Sequence, residues 1–140
     1  MKTQAFRAVA GVIAIYHILL GLAGLVLPTG RVTEVIDLAF GVTLELGDAL
    51  GLVARFTSVY VLVFGLMMLL VCLRPKKYRA FVWIALVLFG VRLANRIVHF
   101  AALNEMGMAS TRNIVGTALI GFFFAALLWA LPKRDTDSAH

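Results

Sequence analysis

Arg92, Asn95, Arg96 and His99 stand at i, i+3, i+4 and i+7 in a stretch that otherwise holds little but apolar residues. On a helix turning about 100° per residue the four share an arc of roughly 100°, one continuous polar stripe. These residue types point to anion or carbonyl recognition. Guanidinium groups bind carboxylates and phosphates through paired N–H donors and stack on flat rings. Asparagine and histidine add further hydrogen bonds, and histidine can titrate. A guanidinium at the centre of a bilayer costs about 3 to over 10 kcal/mol unless it is paired or wetted. Two on one face therefore call for anionic partners, from the chain or from a ligand.

The surrounding elements are those of a membrane protein. Of 140 residues 62% are hydrophobic and 14% charged, with a mean hydropathy of +0.98. Soluble domains are about 45–50% apolar and about 25% charged. The length suits one integral membrane domain, residues 1–140. The net charge of +6 reports membrane topology, not nucleic-acid binding. One cysteine, Cys72, excludes an internal disulfide and any cysteine-pair metal or redox motif. The start of the chain imitates a signal peptide, but its apolar run exceeds the usual core of about 7–15 residues, and no cleavage site follows closely. It reads as a retained helix.

Four spans are expected: 8–27 stopped by Pro28, 50–73 stopped before Pro75, 80–103, and 114–131 stopped by Pro132. Each has 18 to 24 residues, enough for a hydrocarbon core of about 30 Å. Lys2, Arg7, Arg74, Lys76, Lys77, Arg79, Lys133 and Arg134 fall on one side, and only Arg31 and Arg112 on the other. The positive-inside rule places both termini in the cytoplasm. Short connections predict an all-α, four-transmembrane-helix up-down bundle. Between the first two spans, Val32, Val35, Ile36, Ala39 and Phe40 repeat at helical spacing opposite Arg31, Glu34 and Asp37. This is a short amphipathic helix for the outer interface. Alternation at Val42, Leu44 and Leu46 adds an extended segment, within an outer stretch 28–49 carrying four acids. Thr117, Gly121 and Ala125 form a small-residue face, for packing inside the bundle or in a homodimer. Trp83 and Trp129, near the cytoplasmic ends of their spans, read as interfacial anchors.

Depth along these spans groups the polar residues. His17, Tyr60 and Arg92 fall near mid-membrane; Arg96 lies about 6 Å and His99 about 10 Å further out than Arg92 at helical rise. Arg55 and Thr117 share the outer half, while the cytoplasmic halves are apolar. The expectation is an outward-facing cationic pocket built from Arg55, Arg92, Asn95, Arg96, His99, His17 and Tyr60, with Tyr16 beside it. Glu45, Asp48 and Glu105 stand at the rim as ion-pair partners. The acids either neutralise the arginines as buried pairs or leave room for an anionic or carbonyl-bearing ligand.

A quinone head group, an anionic lipid or a small organic acid would suit such a pocket. Haem held by His17 and His99 is disfavoured, because axial ligands should share a height and these differ by about 10 Å. No metal site, phosphate loop or nucleophile triad is present as a motif.

The run from Tyr16 to Pro28 with its glycines, Arg55 opening a glycine-bearing second span through Gly65, and polar residues in the third resemble the DoxX-like and BphX-like small four-helix bacterial membrane proteins. The resemblance implies the bacterial inner membrane, and some of these relatives are associated with quinone-linked oxidoreductase complexes. The acidic outer stretch and the Arg92–His99 stripe match no motif of that group, so it assigns no site residues. The functional expectation is an accessory or binding protein, not itself an enzyme, with membrane lipid and a larger complex or a homodimer as partners. A quinone-linked oxidoreductase subunit and an oligomeric small-anion transporter are the alternatives.

Overall fold

The computed structural model describes residues 2–40, 47–105 and 110–131. Among these the chain is all helical: α1 (Lys2–Val26), α2 (Thr29–Phe40), α3 (Asp48–Leu73), α4 (Arg79–Val98), α5 (Phe100–Glu105) and α6 (Ser110–Trp129). Proline sets two of the boundaries. Pro28 has no N–H to continue α1 and disfavours helical backbone in the residue before it. Its carbonyl then starts α2 by accepting from Arg31 N and Val32 N at 2.8 and 3.0 Å. Pro75 likewise follows the C-cap Arg74, whose N–H still bonds Leu70 O. The extended stretch expected at 42–46, with Glu45, lies outside the described residues.

Four helices are long and apolar enough to cross a membrane: Thr3–Val26, Leu50–Leu73, Arg79–Val98 and Thr111–Trp129. Their outward surfaces confirm the solvent they are built for. Leu19, Val63, Val87 and Trp129 are each at least half exposed, and helices that are apolar all round suit lipid. The chain is a multi-pass membrane protein.

The tightest seam joins α1 to α3, and glycine makes it. A Cβ added at Gly21 would meet Leu62 N at 2.6 Å, and one at Gly65 would meet Ile18 N at 2.7 Å. Both obstacles are backbone, so the reciprocal glycines bring the two main chains together as small residues do in membranes. Low numbers on α1 meet high numbers on α3: Gly11 faces Cys72, whereas Gly24 faces Ser58. At the far end Arg7 Nε donates to Cys72 O at 2.9 Å, and the Cys72 thiol donates to Arg7 O at 3.2 Å. A second seam joins α4 to α6, where Gly90 faces Phe124 and Gly121 faces Leu93. One apolar core fills the centre, with Phe6, Ile13, Phe64, Met68, Val82, Phe89, Ile120 and Leu127 among its members.

The third expected span, 80–103, is divided. α4 ends at Val98, His99 adopts φ −99° and ψ 18°, and its N–H is shared between Asn95 O and Ile97 O. α5 then resumes at Phe100. The side chain of Asn113 on α6 reaches the Phe100 carbonyl at 3.1 Å, a partner that sequence spacing could not supply.

Candidate functional site

A cavity of about 330 Å³ lies between α1, α4 and α6, with Leu38 of α2 at its edge. α1 contributes Val12, Ile13, Tyr16 and His17; α4 contributes Phe89, Arg92 and Arg96; α6 contributes Gly116, Leu119, Ile120 and Phe123. Its size falls at the lower end of small-molecule sites, and its mostly apolar wall with a few convergent polar groups is their usual character. None of these lining residues is acidic. Val12, Tyr16 and Leu119 line the cavity and are also exposed. Leu38 of α2 is exposed as well, so the cavity wall reaches the surface on α1, α2 and α6.

Arg92 is half-buried, and among the described residues neither a hydrogen bond nor an ion pair engages its guanidinium. Arg96 is braced. Its Nε donates to Asn113 Oδ1 at 3.2 Å, and its guanidinium lies against Gly116, where a Cβ would come within 2.6 Å of Nη2. Asn113 is fully buried and also donates from Nδ2 to Phe100 O at 3.1 Å and Asn104 Oδ1 at 3.0 Å. The amide orientation follows from its partners: arginine can only donate and a backbone carbonyl can only accept.

His17 is 5% exposed. Its Nδ1 lies 2.8 Å from Ile13 O, and a carbonyl accepts, so Nδ1 carries the proton. Its Nε2 is buried without a hydrogen-bond partner among the described residues. Phe64 and Phe89 hold the ring edge-on at centroid distances of 4.8 and 6.3 Å, and Tyr16 does so at 5.1 Å.

The structure brings together His17, Tyr16, Arg92 and Arg96 of the residues singled out by sequence. It places Arg55, Tyr60, Asn95 and His99 on exposed surfaces away from the cavity. For α3 the reason is azimuth. Leu62 and Gly65 turn toward α1, while Tyr60 is 75% exposed. Glu105 is exposed on α5, and Asp48 is the first residue of α3. Two acids of the outer stretch pair elsewhere: Glu34 with Arg31 at 2.9 Å and Asp37 with Arg112 at 3.0 Å. Among the described residues no group of three His, Cys, Asp or Glu assembles as a metal site. Asn113 and Gly116 were missed as site residues, although an asparagine inside a membrane helix and a glycine one turn from it were visible signals. Compared with known proteins, the chain matches no family model, no curated protein and no solved structure.

Proposed function

We propose that this chain is a small non-enzymatic binding or accessory protein of the bacterial inner membrane whose cavity takes an anionic or quinone-like ligand. In this reading the four long helices cross the membrane as an up-down bundle with both termini in the cytoplasm. α2 lies at the outer interface, with its amphipathic face toward the bundle. The positive-inside distribution supports the orientation, and buried Val32 opposite exposed Arg31 and Glu34 supports the placement of α2. Kinship with the DoxX-like group is part of the proposal, supported by the four-helix layout.

The observation that carries the reading is Arg92: a half-buried guanidinium, without a carboxylate partner among the described residues, on the wall of an apolar cavity. An intramembrane cation ordinarily has an anionic partner or water. A bound oxyanion or polarised carbonyl would serve that role, with Arg96 alongside it and Phe89 and Phe123 flanking its body. Mass spectrometry of the protein purified in mild detergent tests this. A small molecule should accompany the wild type and be depleted in Arg92→Ala. Nothing bound to either protein, with equal thermal stability, would defeat the proposal.

A further inference from the structure

Arg92 accounts for the charge of a ligand but not for the second polar feature of the cavity, the stranded Nε2 of His17. His17, 5% exposed, lines the cavity, and its buried Nε2 lacks a partner among the described residues. Because Nδ1 is committed to Ile13 O, Nε2 of a neutral imidazole can only accept. A buried acceptor left without a donor is costly, about 1–3 kcal/mol. The missing partner must therefore bring a proton, and the cavity that His17 lines also holds two guanidinium groups that only donate. A group that offers acceptor oxygens to arginine and one O–H to histidine satisfies both demands.

We infer that the ligand is a lipophilic weak acid, an amphiphile whose carboxylic or phosphomonoester head keeps one exchangeable proton between itself and His17 Nε2 while its other oxygens face Arg92 and Arg96. The inference rests on reading the cavity as a ligand site and deepens it. The wall supports the lipophilic character: exposed Val12, Tyr16, Leu38 and Leu119 line the cavity, and the apolar surface on α1 and α6 is one that a bilayer would cover. A phosphodiester head without a hydroxyl or amine, ionised throughout, brings no proton and leaves Nε2 unsatisfied. The charged and titratable groups around His17 are Tyr16 on its own helix and Arg92 and Arg96 from α4. α6 presents Gly116, Leu119, Ile120 and Phe123, α2 presents Leu38, and α3 presents Phe64. Among the described residues no lining carboxylate competes for the proton.

The test measures binding to the purified protein in detergent by native mass spectrometry, using three single-chain probes that carry no hydroxyl outside the acid group: oleic acid, hexadecyl phosphate and hexadecyl methyl phosphate. One or both acids should bind at least about tenfold more tightly than the phosphodiester, and whichever binds names the head group. Affinity for the phosphomonoester should rise about tenfold or more from about pH 8 to about pH 6, since its second ionisation lies near 6. The diester should show no such rise. His17→Phe, which keeps the ring packing on Phe64 and Phe89, should erase the preference for acids and its pH dependence. Arg92→Gln should weaken all three probes. Equal, pH-independent binding of diester and acids would overturn the weak-acid assignment and leave the binding site standing. A diester that also tightens at low pH would place the proton on His17 and overturn it equally. If no probe binds the wild type, or Arg92→Gln changes nothing, both this inference and the ligand site fall. The pH series on the wild type stands even if His17→Phe does not fold.

Discussion

Replacing Asn113 by alanine should destabilise the protein far more than its single amide suggests. The side chain is fully buried and makes three bonds, from Arg96 Nε at 3.2 Å, to Phe100 O at 3.1 Å and to Asn104 Oδ1 at 3.0 Å. Side-chain hydrogen bonds in membrane proteins average about 0.6 kcal/mol and reach about 1.7. Three of them give about 2 to 5 kcal/mol. The Phe100 carbonyl sits where α4 breaks into α5, so the loss should also loosen that junction. Asn113→Asp provides an internal check. It preserves an acceptor for Arg96 but removes both Nδ2 donors and sets a carboxylate against two oxygens, so it too should cost at least about 1 kcal/mol. Combining Asn113→Ala with Asn104→Ala should reveal a coupling of about 0.5 to 1.5 kcal/mol in a double-mutant cycle. Reversible unfolding by a denaturing detergent titrated into mild micelles reads all three. A loss below about 0.5 kcal/mol for Asn113→Ala, with Asn113→Asp at wild-type stability, would refute the hub role.

Gly21→Val and Gly65→Val should each separate α1 from α3, because the obstacle is backbone at 2.6–2.7 Å; a loss of about 1–3 kcal/mol or more in the same assay is expected. Gly116→Ala should leave the fold nearly intact but displace the Arg96 guanidinium, which ends a flexible side chain; ligand retention should fall while stability moves by less than about 1 kcal/mol. Arg7→Met removes the donor to Cys72 O and should cost about 0.5–1.5 kcal/mol, whereas Cys72→Ser, which retains a donor to Arg7 O, should cost less. Asp37→Asn breaks an exposed pair with Arg112, and its effect should stay within about 0.2–1 kcal/mol and shrink with salt.

Depth was legible in the sequence, and azimuth was not. The apolar runs announced four long helices, and Pro28 and Pro75 marked where α1 and α3 stop, although α1 begins six residues before the expected start and α4 ends five before the expected end; Val32, Val35 and Ile36 fall within the helix α2. His17, Arg92 and Arg96 could be placed at neighbouring heights from helical rise alone. Which way each side chain faced needed the other helices. In a soluble helix the polar side marks the outside, but here the lipid-facing residues Trp83, Ile84, Val87 and Val91 are as apolar as the buried Val82, Ala85, Leu86 and Phe89. Hydrophobic periodicity therefore carries no contrast. Arg55 and Tyr60 were grouped with the pocket on height and face elsewhere. The break at His99 was hidden for a different reason: its stabilising partner, Asn113, comes from a helix beginning eleven residues later.

The same geometry explains why the stripe splits. The buried face of α4, Val82, Ala85, Leu86 and Phe89, is centred roughly 70° around the helix from Arg92 at 100° per residue. Arg96 lies about 30° from that centre, Arg92 about 70°, and Asn95 about 130°. Only the arginines are close enough to the core, and long enough, to reach the seam toward α6 and α1. Had Arg92 pointed at the centre, it would occupy the space that Phe89 and Ile120 fill, with its charge fully desolvated. Standing on the flank, both arginines line the cavity, with the Arg96 guanidinium against the bare backbone of Gly116. The offset of stripe from core thus tolerates two cations without embedding them in the apolar core. On the proposed reading a ligand would reach them between helices from the bilayer, a route that suits an amphiphile better than a small hydrophilic anion.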